Sequence, residues 1–293
     1  MSYAPFAPMV DPARPYPALW RLALGVVTIV ILTVLWTFAL VGSAGLFTGA
    51  FESDTLLLEE QPGPSGVLIS LIAIAGSGLA CMAAARWWQK RQIMTLFGPA
   101  RKTFRHFTLA AGISLAVMSV IAIATMPFVG WPILNMNPSI WLAWLPIALL
   151  CVLLQTGAEE LVFRGYLQTQ LAARFKSPIA WMIAPSLLFA ALHYDPTYST
   201  AFTVACLIGT FLFALVAADL TARTGSIGAA WGFHFANNTL AILLVSWQDS
   251  FSGLSLFNAT MSLDTIETYS PIFVLDFLTV IFVWAVIRKV LAR

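Results

Sequence analysis

The chain has 293 residues, 60% hydrophobic and only 10% charged, with a net charge of +2 and a mean hydropathy of +0.87. Soluble domains carry about 25% charged and 45–50% apolar residues, and disordered chains need low hydrophobicity with abundant charge. Both classes are excluded, and so few cations leave no basic surface for nucleic acid. What remains is a polytopic membrane protein whose first partner is the lipid bilayer.

A Pro-rich arm over residues 1–18 (Pro5, Pro8, Pro12, Pro15, Pro17) precedes an apolar run at 19–48. That run is too long for the core of a signal peptide and reads as a retained anchor. A spanning helix needs about 20 apolar residues. The stretches 19–48, 66–86, 107–129, 140–163, 178–193, 201–221, 226–247 and 271–288 meet or approach that length, the fifth being short. The expected fold is all-α: a polytopic membrane bundle of about eight transmembrane helices, one integral-membrane domain over 19–293.

Charge orients it. The fifteen Lys and Arg fall at Arg14 and Arg21, in 86–105, in 164–176, at Arg223 and in 288–293. The alternate loops carry acids alone: Glu52, Asp54, Glu59, Glu60, Asp195, Asp249, Asp264 and Glu267. Cationic loops stay in the cytoplasm, so both termini are expected there, in what fits a bacterial inner (plasma) membrane. Cys81, Cys151 and Cys206 lie in apolar runs and read as small buried hydrophobes. The steps Gly45–Gly49 and Gly228–Gly232 read as close helix packing.

Ionisable groups inside spans are costly and point to function. They are Glu159, Glu160, Arg164, His193, His234 and Asp276, with Asn238 as an uncharged companion. The remaining histidine, His106, sits among Arg101, Lys102 and Arg105 and is expected at a solvated or lipid-facing interface. Ser177-Pro178 breaks the segment 140–193 into two helices. Folded as a hairpin about Lys176, Glu159 and His193 are each 17 residues from the tip, at one depth roughly 25 Å from it. His234 and Asn238 share a helix face, as do Glu160 and Arg164, because positions i and i+4 are neighbours. Arg164 then serves as a charge partner to Glu160. Asp276 is expected to pair with Arg164 or to cap another polar group.

A carboxylate beside an imidazole can deprotonate a water, and a second imidazole with an amide can stabilise a developing oxyanion. That set suffices for peptide hydrolysis without a covalent intermediate, and no GxSxG serine elbow is present. No cofactor is required. Zinc is possible, since Glu159, His193 and His234 would leave an open water position, although HExxH spacing is absent.

The stretches Glu159-Glu160-Leu161-Val162-Phe163-Arg164, Phe189-Ala190-Ala191-Leu192-His193 and His234-Phe235-Ala236-Asn237-Asn238 resemble, in order, the EExxxR, FxxxH and HxxxN motifs of the CPBP family. That family comprises CAAX prenyl endopeptidases, bacteriocin-processing enzymes and Abi proteins, often labelled metalloproteases. The resemblance covers roughly residues 140–245, the protease core. It implies a glutamate-dependent intramembrane endopeptidase in which Glu159, helped by His193, activates water and His234 with Asn238 binds the oxyanion. Glu160 and Arg164 match supporting positions, and Phe189 a packing position. The implied substrate is a membrane-anchored peptide or protein, of CAAX type in one branch, cut from the cytosolic side. A proton-coupled transporter and a non-catalytic immunity or scaffold protein are the alternatives. Nothing in the residues specifies an oligomeric state.

Overall fold

The computed structural model describes residues 3–48, 63–247, 251–261 and 271–291. Gly49 and the loop acids Glu52, Asp54, Glu59, Glu60, Asp249, Asp264 and Glu267 lie outside the described residues. All eight expected stretches are helical. They are α1 (Leu19–Thr48), α2 (Pro64–Trp88), α3 (Ala100–Val129), α4 (Pro138–Arg174), α5 (Ile179–Ala191), α6 (Thr200–Thr224), α7 (Gly228–Asn238) and α8 (Pro271–Leu291). Six of these, all but α5 and α7, are long and apolar enough to cross a membrane.

Local chemistry sets the boundaries. The Asn137 side chain accepts from Ser139 N–H at 2.9 Å, with Pro138 opening α4. Ser199 caps α6 in the same way through Phe202 N–H. Gly225 ends α6 at φ 67°, where a β-carbon would run into the Pro5 carbonyl. Within this α-helical frame, Leu161–Gln168, Ile179–Ile183 and Thr239–Leu244 wind as π-helix. The first follows Glu159 and Glu160 directly and the last follows Asn238, so the wide turns adjoin the polar layer. A small sheet joins β1 (Ile133–Leu134), β2 (Val245–Ser246) and β3 (Phe257–Asn258) in the order β1-β3-β2, with β3 antiparallel to β1 and parallel to β2.

Two packing contacts position the site. Gly228 and Gly232 of α7 face the Thr103 and Phe107 carbonyls of α3, so the two backbones touch where any side chain would intrude. The same approach turns His106 inward, correcting its expected solvated or lipid-facing place. It is buried, with Nδ1 3.0 Å from Ser226 Oγ.

The arm is part of the bundle. Phe6, Met9 and Val10 are buried, Phe6 and Tyr3 pack on Trp181, and Met9 O accepts from the buried Arg91 guanidinium at 3.2 Å. Arg91 also donates to Thr169 Oγ1 at 2.7 Å. Desolvation lowers the Arg91 pKa to about 10, which still leaves it charged at neutral pH. Asp219, near the end of α6, collects Tyr3 O–H at 3.0 Å, Trp284 Nε1–H at 2.9 Å and Arg223 Nε–H at 2.7 Å. Burial and the Asp219 carboxylate push the Tyr3 phenol above its usual pKa, keeping it a donor. The arm and the C-terminal ends of α6 and α8 therefore meet at one end of the bundle.

Candidate active site

Glu160 is fully buried on α4, and the first ionic contact of the site is local. Arg164, one turn on, donates from Nη1 to Glu160 Oε1 at 2.8 Å and from Nη2 to Ala214 O at 3.2 Å. The guanidinium carbon also lies 4.9 Å from the centre of the Phe189 ring. Arg164 is thus inside the bundle and paired with Glu160, as expected from their spacing, and not with Asp276. Phe189 packs edge-on to Phe163 at 5.0 Å and 4.7 Å from the His193 ring, linking α4 to the turn after α5.

The Glu160 oxygen that receives Arg164 also lies 2.8 Å from His234 Nδ1. A carboxylate paired with arginine only accepts, so Nδ1 carries the proton. This leaves His234 Nε2 facing Glu159, whose Oε2 is 3.3 Å away. Glu159 is half-buried where Glu160 is sealed. The adjacent carboxylates are therefore divided: Glu160 holds Arg164 and His234 in place, and Glu159 faces open space.

His193 follows α5 in the turn that leads to Asp195. Its Nδ1 is 2.8 Å from Phe189 O. A carbonyl only accepts, so Nδ1 again bears the proton and Nε2 is left as an acceptor. In the turn beyond it, hydrogen bonds from the Thr197 hydroxyl and N–H hold the Asp195 pKa below its ordinary value. Asn238 donates from Nδ2 to Gln155 Oε1 at 3.0 Å and accepts from Asn237 Nδ2 at 3.2 Å. Gln155 is uncharged, so reasoning from ionisable groups in apolar runs passes over it. Its signal was available: it stands one turn before Glu159 in an apolar helix.

These side chains converge on one chamber of about 700 Å³. Gln155, Glu159, His193, His234 and Asn238 supply polar groups, while Val30 and Ile74 are among the apolar residues around them. Glu159 and His193 thus face the same space, as the hairpin arithmetic required. A second chamber of about 390 Å³ shares Phe189, His193, His234 and Asn238 with the first and reaches Asp276. Among the described residues, no group of three His, Cys, Asp or Glu side chains is disposed to hold a metal ion. Glu159, His193 and His234 line the wall without forming a ligand set. The arrangement can hold a water against Glu159 and present an amide and an imidazole to an adjacent carbonyl.

Residues 139–240 match the family described as Rce1-like, type II CAAX prenyl endopeptidase, and every polar residue of the layer falls within them. A curated relative, the uncharacterized protein YyaK of Bacillus subtilis (strain 168), is 31% identical over 201 residues. The match covers 66% of this chain and 65% of the relative, just under two thirds of the relative's length.

Proposed function

From the premise that residues 139–240 belong to the Rce1-like type II CAAX prenyl endopeptidases, we propose that the protein is an intramembrane endopeptidase. Its substrate is a membrane-anchored polypeptide. The observation that carries this reading is the division of labour between the adjacent carboxylates. Glu160 is neutralised by Arg164 and orients His234, while Glu159 lies on the chamber wall 3.3 Å from His234 Nε2.

Glu159 accepts a proton from a water that His193 Nε2 helps to hold. The water oxygen bonds to the scissile carbonyl carbon, and the carbonyl oxygen becomes an oxyanion. Asn238 Nδ2–H, and His234 Nε2 when it bears a proton, donate to that oxygen. The proton taken by Glu159 passes to the amide nitrogen as the carbon–nitrogen bond breaks, releasing a carboxylic acid and an amine, between which the remaining proton moves to give a carboxylate and an ammonium. Arg164 and Glu160 are positioning residues in this scheme, and no step uses a metal. The cationic end, where the arm meets the ends of α6 and α8, is assigned to the cytosol.

The test is cleavage of membrane-anchored peptides by purified protein. Glu159→Gln is expected to lower kcat by at least ~1000-fold, and His193→Ala by about 100-fold or more, within the range for removing a general base or its partner. Undiminished activity in both would overturn the mechanism. A strong chelator is expected to leave wild-type turnover intact, and loss restored by zinc would replace the water-and-carboxylate scheme with a metal-assisted one.

A further inference from the structure

The second chamber is not used by the chemistry above. It shares His193, His234 and Asn238 with the first chamber, and Thr210, Asn237 and Asp276 are among its polar lining. Asp276 is five residues into α8, about 8 Å along a spanning helix. Across from it, Gly209 of α6 leaves space: a β-carbon there would stand 3.7 Å from Asp276 Oδ2. Among the described residues the Asp276 carboxylate has neither a hydrogen bond nor an ion pair. Arg164, the cation expected for it, is held by Glu160 and Ala214 O. Arg223 and Arg288, the cations of α6 and α8 nearest by sequence, lie at the opposite end of these helices, beside Asp219 and Trp284.

Ionisable residues inside membrane spans pair with another group or mark the path of a substrate or ion. The cavity that reaches Asp276 opens onto the catalytic layer, so a cation can arrive with the substrate. We propose that the second chamber is a substrate subsite, in which Asp276 receives a lysine or arginine side chain on one side of the scissile bond. The larger, mainly apolar chamber takes the chain on the other side. This assignment rests on the endopeptidase reading for its name. Its physical content is a preference for a cation, which binding measures without turnover.

The experiment uses the full chain carrying Glu159→Gln, so that peptides stay intact, in nanodiscs. The probes are acyl-anchored peptides in which one position at a time is Lys, Gln or Glu. At one position or a pair of neighbouring positions, Lys is expected to bind about tenfold tighter than Gln, with Glu weaker than both. Adding Asp276→Asn is expected to abolish the Lys-over-Gln ratio, Asp276→Glu to retain part of it, and Asp276→Lys to favour the Glu peptide. Equal binding of Lys and Gln at every position, or a preference unchanged in Asp276→Asn, would overturn the subsite. The Asn and Glu variants keep the test decisive if the Lys variant does not fold, with melting temperature as the check. The two readings fail separately. A charge preference without any cleavage by the wild type removes the endopeptidase and keeps the cation site, whereas cleavage without charge preference does the reverse.

Discussion

Glu159 and Glu160 are chemically identical neighbours with opposite surroundings, and their isosteric variants are expected to fail differently. Glu160→Gln removes the charge that compensates Arg164, which is 2% exposed. Leaving a buried arginine unpaired costs about 3–5 kcal/mol. Glu160→Gln is therefore expected to lose folded protein and melt well below wild type in detergent. Glu159→Gln, at the chamber wall, should melt close to wild type while losing turnover. Equal melting of the two variants would show that Arg164 finds another partner. Gln155 has a subtler part, since its Oε1 holds Asn238 Nδ2 at 3.0 Å. Gln155→Ala should lower kcat about tenfold with little change in KM, because the freed amide is no longer aimed. A rise in KM alone would move Gln155 from orienting the amide to binding substrate.

Helices α3 and α7 meet through glycine, and the glycines of the bundle separate into those that are needed and those that are not. Gly232→Val would drive a side chain into the Phe107 carbonyl and the Ala111 N–H region of α3. Overpacking of that kind costs about 1–3 kcal/mol or more, so a large fall in melting temperature is expected. Gly112 of α3 has open space at its β-carbon position, and Gly112→Ala should hold or gain up to about 1 kcal/mol. A reversed order in a paired melting experiment would contradict the close approach of α3 and α7. The helices themselves were legible because the bilayer demands uninterrupted apolar runs, and Glu159, His193, His234 and Asn238 stood out against so little charge. The π-turns were not, since a change from i+4 to i+5 bonding leaves no residue signature around Leu161–Gln168. His106 was misplaced because its charged neighbours Arg101, Lys102 and Arg105 speak for the solvated face of α3, whereas its ring is on the face turned to Ser226. The arm hid its role in the same way: its prolines suggest a linker, but Phe6 and Met9 are nearly or fully buried.

At the scale of the whole molecule, the question is which end of the bundle the substrate meets. The arm and the end of α8 come together at Asp219, with Arg223 and Arg91 at that same end. The turn between α5 and α6, with Asp195 and Thr197, belongs to the opposite end, and Asp276 lies only about 8 Å inside α8 from there. Cations next to short loops are retained in the cytoplasm, so each terminus should support fluorescence of a fused reporter that folds only in the cytosol. In a background with Cys81, Cys151 and Cys206 replaced, Thr197→Cys should react with a membrane-impermeant maleimide added to intact cells. Arg174→Cys, at the end of α4, should react only after lysis. The two labels together decide more than topology. Labelling in the opposite order would place the Asp276 chamber on the cytosolic side, and a lysine or arginine of the substrate would then have to enter from the cytosol. With the expected order, the cation site lies beyond the catalytic layer from the cytosol. A polypeptide threaded past His193 and His234 would then place its basic side chain against Asp276.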